Sequence, residues 1–302
     1  MSIDADWLVD RRRLKRHLTW WRIAAVVGAV AAVTAAVGRF DVFEAPAHVA
    51  RIDVSGIILD DGKRDQALAA VAADPSAKAL IVRIDSPGGT VVGGEVLYRR
   101  LRHVGERKPV VAVMGELAAS AAYMTALGCD RIVAHDGTLT GSIGVIVQTT
   151  DLTGMLDKLG IKPETIKSSP LKAQPNPLEP FTPEARQATR AVVADTYELF
   201  VQMVQERRNL SAPQVAEVAD GRIFTGRQAK ANGLVDELGG EDEARVWLER
   251  THDVAAALPV RDVDVHDPSE KLQELFTRIV GKALFSETLS LDGLVSVWHP
   301  AH

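Results

Sequence analysis

The feature that most constrains this fold is the run PVVAVMGELAASAAYMTA, residues 109–126, in which an apolar strand-like stretch passes into alanines around Ser120. Val110–Met114 carries only apolar side chains, the composition of a strand covered on both faces in a parallel sheet. A serine at a strand-to-helix turn can act as a nucleophile, because small neighbours leave its hydroxyl open to substrate and tight turns tolerate little bulk. A helix starting near Ala119 would also aim N–H groups without intrahelical acceptors at the same point, where they can stabilise an oxyanion. The same residues suit an alanine-rich helix packed on a sheet with Ser120 as its N-cap. The segment therefore implies a strand-turn-helix unit and leaves its chemistry open.

The flanking sequence repeats that alternation. HVARIDVSGIILDDG alternates like a strand and ends at Asp60, Asp61 and Gly62. A helix is predicted over Arg64–Ala73, a buried strand over Ala79–Ile84 that breaks at Ser86–Gly89, and a helix from Thr90 to about Val104. After Ser120, short strands are expected at Arg131–Ala134 and Gly144–Gln148, a helix near Leu152–Leu159 and a strand at Glu164–Lys167. Prolines 170, 175, 177, 180 and 183 exclude regular structure from SSPLKAQPNPLEPFTP. From Pro183 to Leu210 the pattern is helical, with Val192, Val193, Leu199, Phe200 and Val204 on the expected core face. Strands alternating with helices indicate an α/β domain with a mainly parallel sheet. Asp85–Gly89 lacks the further glycine of a dinucleotide loop and the Gly-Lys-Ser/Thr of a P-loop, so no nucleotide cofactor is expected.

The ends of the chain have a different character. Residues 1–19 form a basic leader containing Arg11, Arg12, Arg13, Lys15 and Arg16, and Ile23–Val37 is uncharged behind Trp20 and Trp21. Counting the tryptophans, residues 20–39 reach the length of a transmembrane signal anchor with the basic side inside; a cleaved signal peptide is the alternative. Residues 40–48 then read as a linker, 49–252 as the main domain and 253–302 as a tail. The tail's amphipathic run KLQELFTRIVGKALF could fold back, meet a sister subunit or lie on a membrane. A net charge of −5 gives no reason to expect nucleic acid. The single cysteine, Cys129, excludes an internal disulfide and reads as a buried structural thiol.

A nucleophilic serine needs a base. Of the histidines only His135 lies near the central stretch, and its neighbour Asp136 points to the opposite face of a strand, so the two make a poor relay. A neutral lysine can substitute. Lowering a lysine pKa from about 10.4 to near 7 requires about 4–5 kcal/mol against the ammonium, which burial can supply. Lys167 and Lys172 are both candidates, and spacing does not choose between them.

The segments IDSPGG, ELAASAAYM, LTGSIGVI, ETIKSSPLK and ADGRIFTGRQAKANGLVDELG, in this order, resemble the bacterial signal peptide peptidase A family of membrane-bound serine–lysine proteases, in its short single-repeat form. The likeness runs from about Val49 to Leu248. It implies that Ser120 is the nucleophile, Lys172 the general base, Ser142 a residue that orients the base and Gly89 an oxyanion donor through its N–H, with no metal or cofactor. It further implies a crotonase-like or Clp-protease-like spiral fold, assembly into a homo-oligomeric ring, and signal peptides and other apolar peptides as substrates outside the bacterial cytoplasmic membrane. In some members serine and lysine come from different subunits; here Ser120 and Lys172 are expected in one chain. The family usually has glycines where this chain has Ala121 and Ala122, a difference that would be costly if either needed a positive φ. A crotonase-type acyl-CoA enzyme and a non-catalytic membrane scaffold are the rival readings.

Overall fold

The computed structural model describes residue 18, residues 20–29, residues 46–265 and the backbone of residues 295–297. The chain divides into two units, Met1–Pro46 and Ala47–His302. In the first, residues 20–29 are helical with Trp20 and Trp21 exposed. No helix among the described residues is long and apolar enough to cross a membrane. Residues 30–39 of the expected anchor lie outside the described residues.

The second unit is built on a mostly parallel sheet. Its first strands are β1 (His48–Ile58), β2 (Ala77–Thr90) and β3 (Val110–Ala119), parallel in the spatial order β3-β2-β1. Each is followed by a helix: α1 (Gly62–Ala73), α2 (Val91–Gly105) and α3 (Ala121–Ala126). The starts of α1 and α2 follow from their caps, since the Asp61 carboxylate accepts from Lys63 N at 3.0 Å and Thr90 Oγ1 accepts from Gly93 N at 3.0 Å.

The period-2 geometry of the strands divides their side chains between two cores. Leu80, Val82 and Ile84 of β2, with Val110, Ala112 and Met114 of β3, face the layer formed by α1, α2 and α3. Ala79 and Ile81, with Val111 and Val113, face the opposite layer, where Ala244 and Leu248 of a later helix cover them. Burial on both faces explains why these strands are uninterrupted apolar runs.

Beyond Met114 the sheet forks. The first half of β3 pairs with β4 (Arg131–Ala134), and its second half pairs with β5 (Leu139–Gly141). Side chains hold the fork: Leu117 N donates to the Asp85 carboxylate at 3.1 Å, Thr138 Oγ1 to Gly115 O at 2.7 Å and Thr140 Oγ1 to Ala118 O at 2.7 Å. Two helices, α4 (Thr153–Lys158) and the 26-residue α5 (Pro183–Arg208), then lead through α6 (Ala212–Val218) to β6 (Ile223–Thr225), which pairs antiparallel with β5. The remaining elements are α7 (Gly226–Ala231), β7 (Glu237–Leu238), α8 (Glu241–His252), β8 (Val260–Asp262) and β9 (Val295–Val297). β8 adds to β1, and β9 runs antiparallel to Gly88–Thr90 of β2.

Several expectations are corrected. The break at Ser86–Gly89 does not occur: β2 continues to Thr90 through a register shift, because Ser86 Oγ donates to Gly56 O at 2.6 Å and accepts from Gly88 N at 3.1 Å. Gly144–Gln148 and Glu164–Lys167 are not strands. Ile166 is fully exposed, so the second segment has no packed face to hold a ladder. Val192 is also exposed, whereas Phe200, Met203 and Val204 carry the core contact of α5. This helix is about 39 Å long, and most of its amino-terminal half apart from Ala185 is exposed or half-buried.

The carboxyl end of α5 is locked by a half-buried ion pair. Arg208 donates to the two oxygens of Asp236 at 2.7 and 3.0 Å and to Gly233 O at 2.7 Å, while Asp236 also accepts from Ile132 N at 2.8 Å. Burial disfavours the Asp236 carboxylate, but the hydrogen bonds and charge of Arg208 outweigh it and hold the carboxyl below its usual range. A lowered carboxyl contributes stability that is complete above the ordinary carboxylate pKa, about 4, and is lost as pH falls through the folded value. Asp236→Asn is expected to cost about 1–3 kcal/mol at pH 7, because it leaves a half-buried guanidinium without its counter-charge. Denaturant unfolding of the full chain at pH 7 and pH 3 should show the gap to wild type narrowing at the lower pH.

Candidate active site

The tip of β3 delivers Ser120 directly into α3. Ser120 has φ 59° and ψ −122°, a left-handed conformation that a side chain disfavours. Two backbone bonds pin it: Ser120 N donates to Gly141 O at 2.9 Å, and Ser120 O accepts from Met124 N at 2.9 Å. Although it occupies the N-cap position, its hydroxyl makes no capping bond to α3. The positive φ falls on Ser120 itself, not on Ala121 or Ala122, which are ordinary buried residues of α3. The cost anticipated for those alanines therefore does not arise.

Ser142 stands beside this turn, also with a positive φ (50°), and its N donates to Arg222 O at 2.8 Å. Between the two serines, Gly141 has φ 84°, and a Cβ there would lie 2.7 Å from the Phe224 ring, so only glycine allows β5 and β6 to approach this closely. Ser120 and Ser142 line one cavity of about 710 Å³. The loop Ile143–Val147 forms one wall, and Phe181, Val193 and Tyr197 form another on and before α5. Tyr197 is fixed by a 2.6 Å hydrogen bond from its hydroxyl to Ala219 O.

Gly89 lies on β2 opposite Ile58, where a Cβ would fall 1.9 Å from Ile58 O. It does not line the cavity, but it is close in register: Ser86 pairs with Ala118, and two residues further along each strand come Gly88 and Ser120.

The lysines separate clearly. Lys167 is paired with Glu179, whose carboxyl that bond holds below its usual range, and Gln174 Nε2 donates to the same carboxylate at 2.8 Å. Lys167 thus staples the proline-rich segment. Lys172 is exposed in a turn of that segment and does not line the cavity. The structure therefore unites Ser120 with Ser142 but does not bring Lys172 to them, in contrast to the expectation of a site complete within one chain. His135 and Asp136 are exposed at the end of β4, away from the cavity. Cys129 is buried, and burial together with the charge of Asp130 pushes its thiol pKa up, as for an inert structural cysteine.

Arg186, Arg190 and Asp220 also line the cavity and were not singled out from the sequence. The signal for the two arginines was the stripe 186-190-193-197 at helical spacing, in which Val193 reads as core but lines the cavity.

Residues 102–255, just over half of the chain, match the family model described as peptidase family S49. The chain belongs to this family. Among S49 relatives, a Synechocystis sp. protein named as a protease is 44% identical over 201 residues, covering 66% of this chain and 72% of its own length. The chloroplastic serine protease SPPA of Arabidopsis thaliana is 33% identical over 222 residues, covering 72% of this chain but only 32% of its own length. Among solved structures, a membrane-bound stomatin-specific protease, 1510-N, aligns with 73% of this chain and 99% of its own at a TM-score of 0.46 and 18% identity. The S49 assignment makes this chain a serine peptidase, and its α/β fold agrees with the sequence reading.

If strain is stored at the elbow, glycine should relieve it. Ser120→Gly and Ser120→Ala both lack the hydroxyl, yet the glycine variant is expected to be more stable by about 1 kcal/mol, because a left-handed residue with a Cβ costs about 1–3 kcal/mol and glycine returns part of that as unfolded-chain entropy. Paired denaturation curves check this; an alanine variant of equal or greater stability would show that the turn is unstrained.

Proposed function

We propose that this S49 peptidase is a membrane-anchored endopeptidase that degrades cleaved signal peptides and other apolar, membrane-derived peptides on the outer side of the bacterial cytoplasmic membrane. The observation that carries the reading is Ser120: a buried serine in a left-handed turn at a strand-helix junction, its hydroxyl not spent on capping, on the floor of a largely apolar cavity. Ser120 attacks the scissile carbonyl, Lys172 takes the proton and returns it to the leaving amine, and water releases the acyl group. Ser142 orients the lysine, and the Gly89 N–H receives the oxyanion. The placement of β9 beside Gly88–Thr90 supports this path for substrate, since that edge accepts an extended segment antiparallel, as peptide-binding edges do.

The forked sheet supports a Clp-protease-like or crotonase-like spiral. The exposed position of Lys172 supports completion of the dyad by a neighbouring copy in a ring. The apolar run before residue 38 supports the anchor.

Ser120→Ala and Lys172→Ala should each abolish cleavage of an apolar signal-like peptide. Mixing the two inactive full-length variants should restore about a quarter of the wild-type rate if sites form between neighbours in a randomly mixed closed ring. Retained cleavage by Ser120→Ala would remove the nucleophile from the scheme, and mixtures that stay inactive would place both residues of the dyad in one chain.

A further inference from the structure

The charge on the cavity wall is not balanced. Arg186 and Arg190 lie one turn apart on α5 and both line the cavity that holds Ser120. Like charges at this spacing repel. No acid compensates along the helix: Arg186 has Thr182, Pro183 and Thr189 at its other helical neighbour positions, and Arg190 has Gln187, Val193 and Ala194. Arg186 is held in place by stacking over Phe181, 4.5 Å from the ring centroid. Arg190 has neither a hydrogen-bond nor an ion-pair partner among the described residues. Among the described residues one acid lines the cavity, Asp220, and it is already engaged by Arg222, whose Nε donates to its two oxygens at 2.8 and 2.7 Å. Among the described residues this wall thus presents two cations against one acid that Arg222 already pairs, while Asp151, in the adjoining pocket that Arg186 also lines, is engaged by Thr153.

We infer that Arg190, with Arg186 beside it, forms a carboxylate subsite that anchors the acidic end of a peptide whose apolar part fills the cavity over Ser120. The inference deepens the peptidase reading and rests on it for the identity of the ligand as a peptide. Guanidinium suits the task because its planar fork matches a carboxylate in a bidentate, charge-assisted pair. A sphere of the cavity's volume is about 11 Å across, and an extended chain crosses that in about three residues. The favoured cut therefore falls a few residues from the captured carboxylate. A peptide released by an earlier proteolytic cut carries such a group at its new carboxyl terminus, so the subsite distinguishes severed peptides from the same sequence within an intact chain.

Binding separates this proposal from catalysis. The full-length Ser120→Ala chain is titrated by fluorescence anisotropy with one apolar peptide, labelled at its amino end, in three forms: free acid, carboxy-terminal amide, and amide with one glutamate near the end. The free acid is expected to bind roughly tenfold or more tightly than the amide, the gain of one charge-assisted pair. Arg190→Gln should reduce the difference to less than about twofold, and Arg190→Lys should restore part of it as a point charge without the fork. Tight binding of the glutamate form alone would keep the subsite and assign it to an acidic side chain. Equal binding of all three forms overturns the subsite; if wild type still cleaves both acid and amide, the peptidase reading survives that loss. Conversely, a preference for the acid in Ser120→Ala, with no cleavage of any form by wild type, would keep the anion site and overturn the peptidase reading.

Discussion

The structure at the tip of β3 depends on holding one serine in a backbone conformation it would not choose. A left-handed residue bearing a Cβ persists only where its surroundings over-determine it, and at Ser120 they do. The bond from its N–H to Gly141 ties it to β5, and the bond from Met124 ties its carbonyl to the first turn of α3. Every residue of α3 is buried. The helix has only six residues, too few to stand without tertiary support. That support includes Tyr123, whose hydroxyl donates to Leu234 O at 2.9 Å and whose burial raises its pKa, keeping it a neutral donor. Leu234 lies in the turn that the Arg208–Asp236 pair braces through Gly233. Ser120 is thus connected through one short helix to the charge pair at the far end of α5.

The same chain of contacts explains why the sheet forks where it does. Had β3 kept a single neighbour along its length, its tip would have ended beside the strand that supports its base. Pairing first with β4 and then with β5 gives the tip a separate partner, and Gly141 sits where that partner must pass close to β6. The hydroxyls of Thr138 and Thr140 bond to β3 carbonyls at the fork, linking β3 to the β4–β5 segment.

Much of this was legible in the sequence because it follows from local pattern. The apolar run Val110–Met114 and the alanines around Ser120 announce a covered strand entering a close-packed helix, and that is what forms. Extended strands were harder to delimit. Ser86-Pro87-Gly88-Gly89 looks like a break, since proline and glycine are poor strand residues, but the Ser86 hydroxyl bridges the register shift and the glycine at 89 is what lets β1 and β2 approach. Gly144–Gln148 failed in the other direction, with strand-like composition but a place in the cavity wall. The arginine stripe on α5 was overlooked because amphipathic periodicity says which residues share a face, not whether that face meets a core or a cavity.

The site also divides into a part set by the sheet and a part set by the segment that follows it. Ser120, Ser142 and Gly89 sit on or beside strand ends, where each backbone is fixed by neighbours on the sheet. Lys172 has no such frame: it lies on a proline-rich stretch tied to itself by Lys167 and Glu179. A side chain on that stretch takes its position from the segment, whereas the turn at Ser120 is built as the sheet folds. Arg190 on α5, which has no hydrogen-bond or ion-pair partner among the described residues, adds a positive charge to the wall that bounds the cavity, a charge set by α5 and independent of the proline-rich segment.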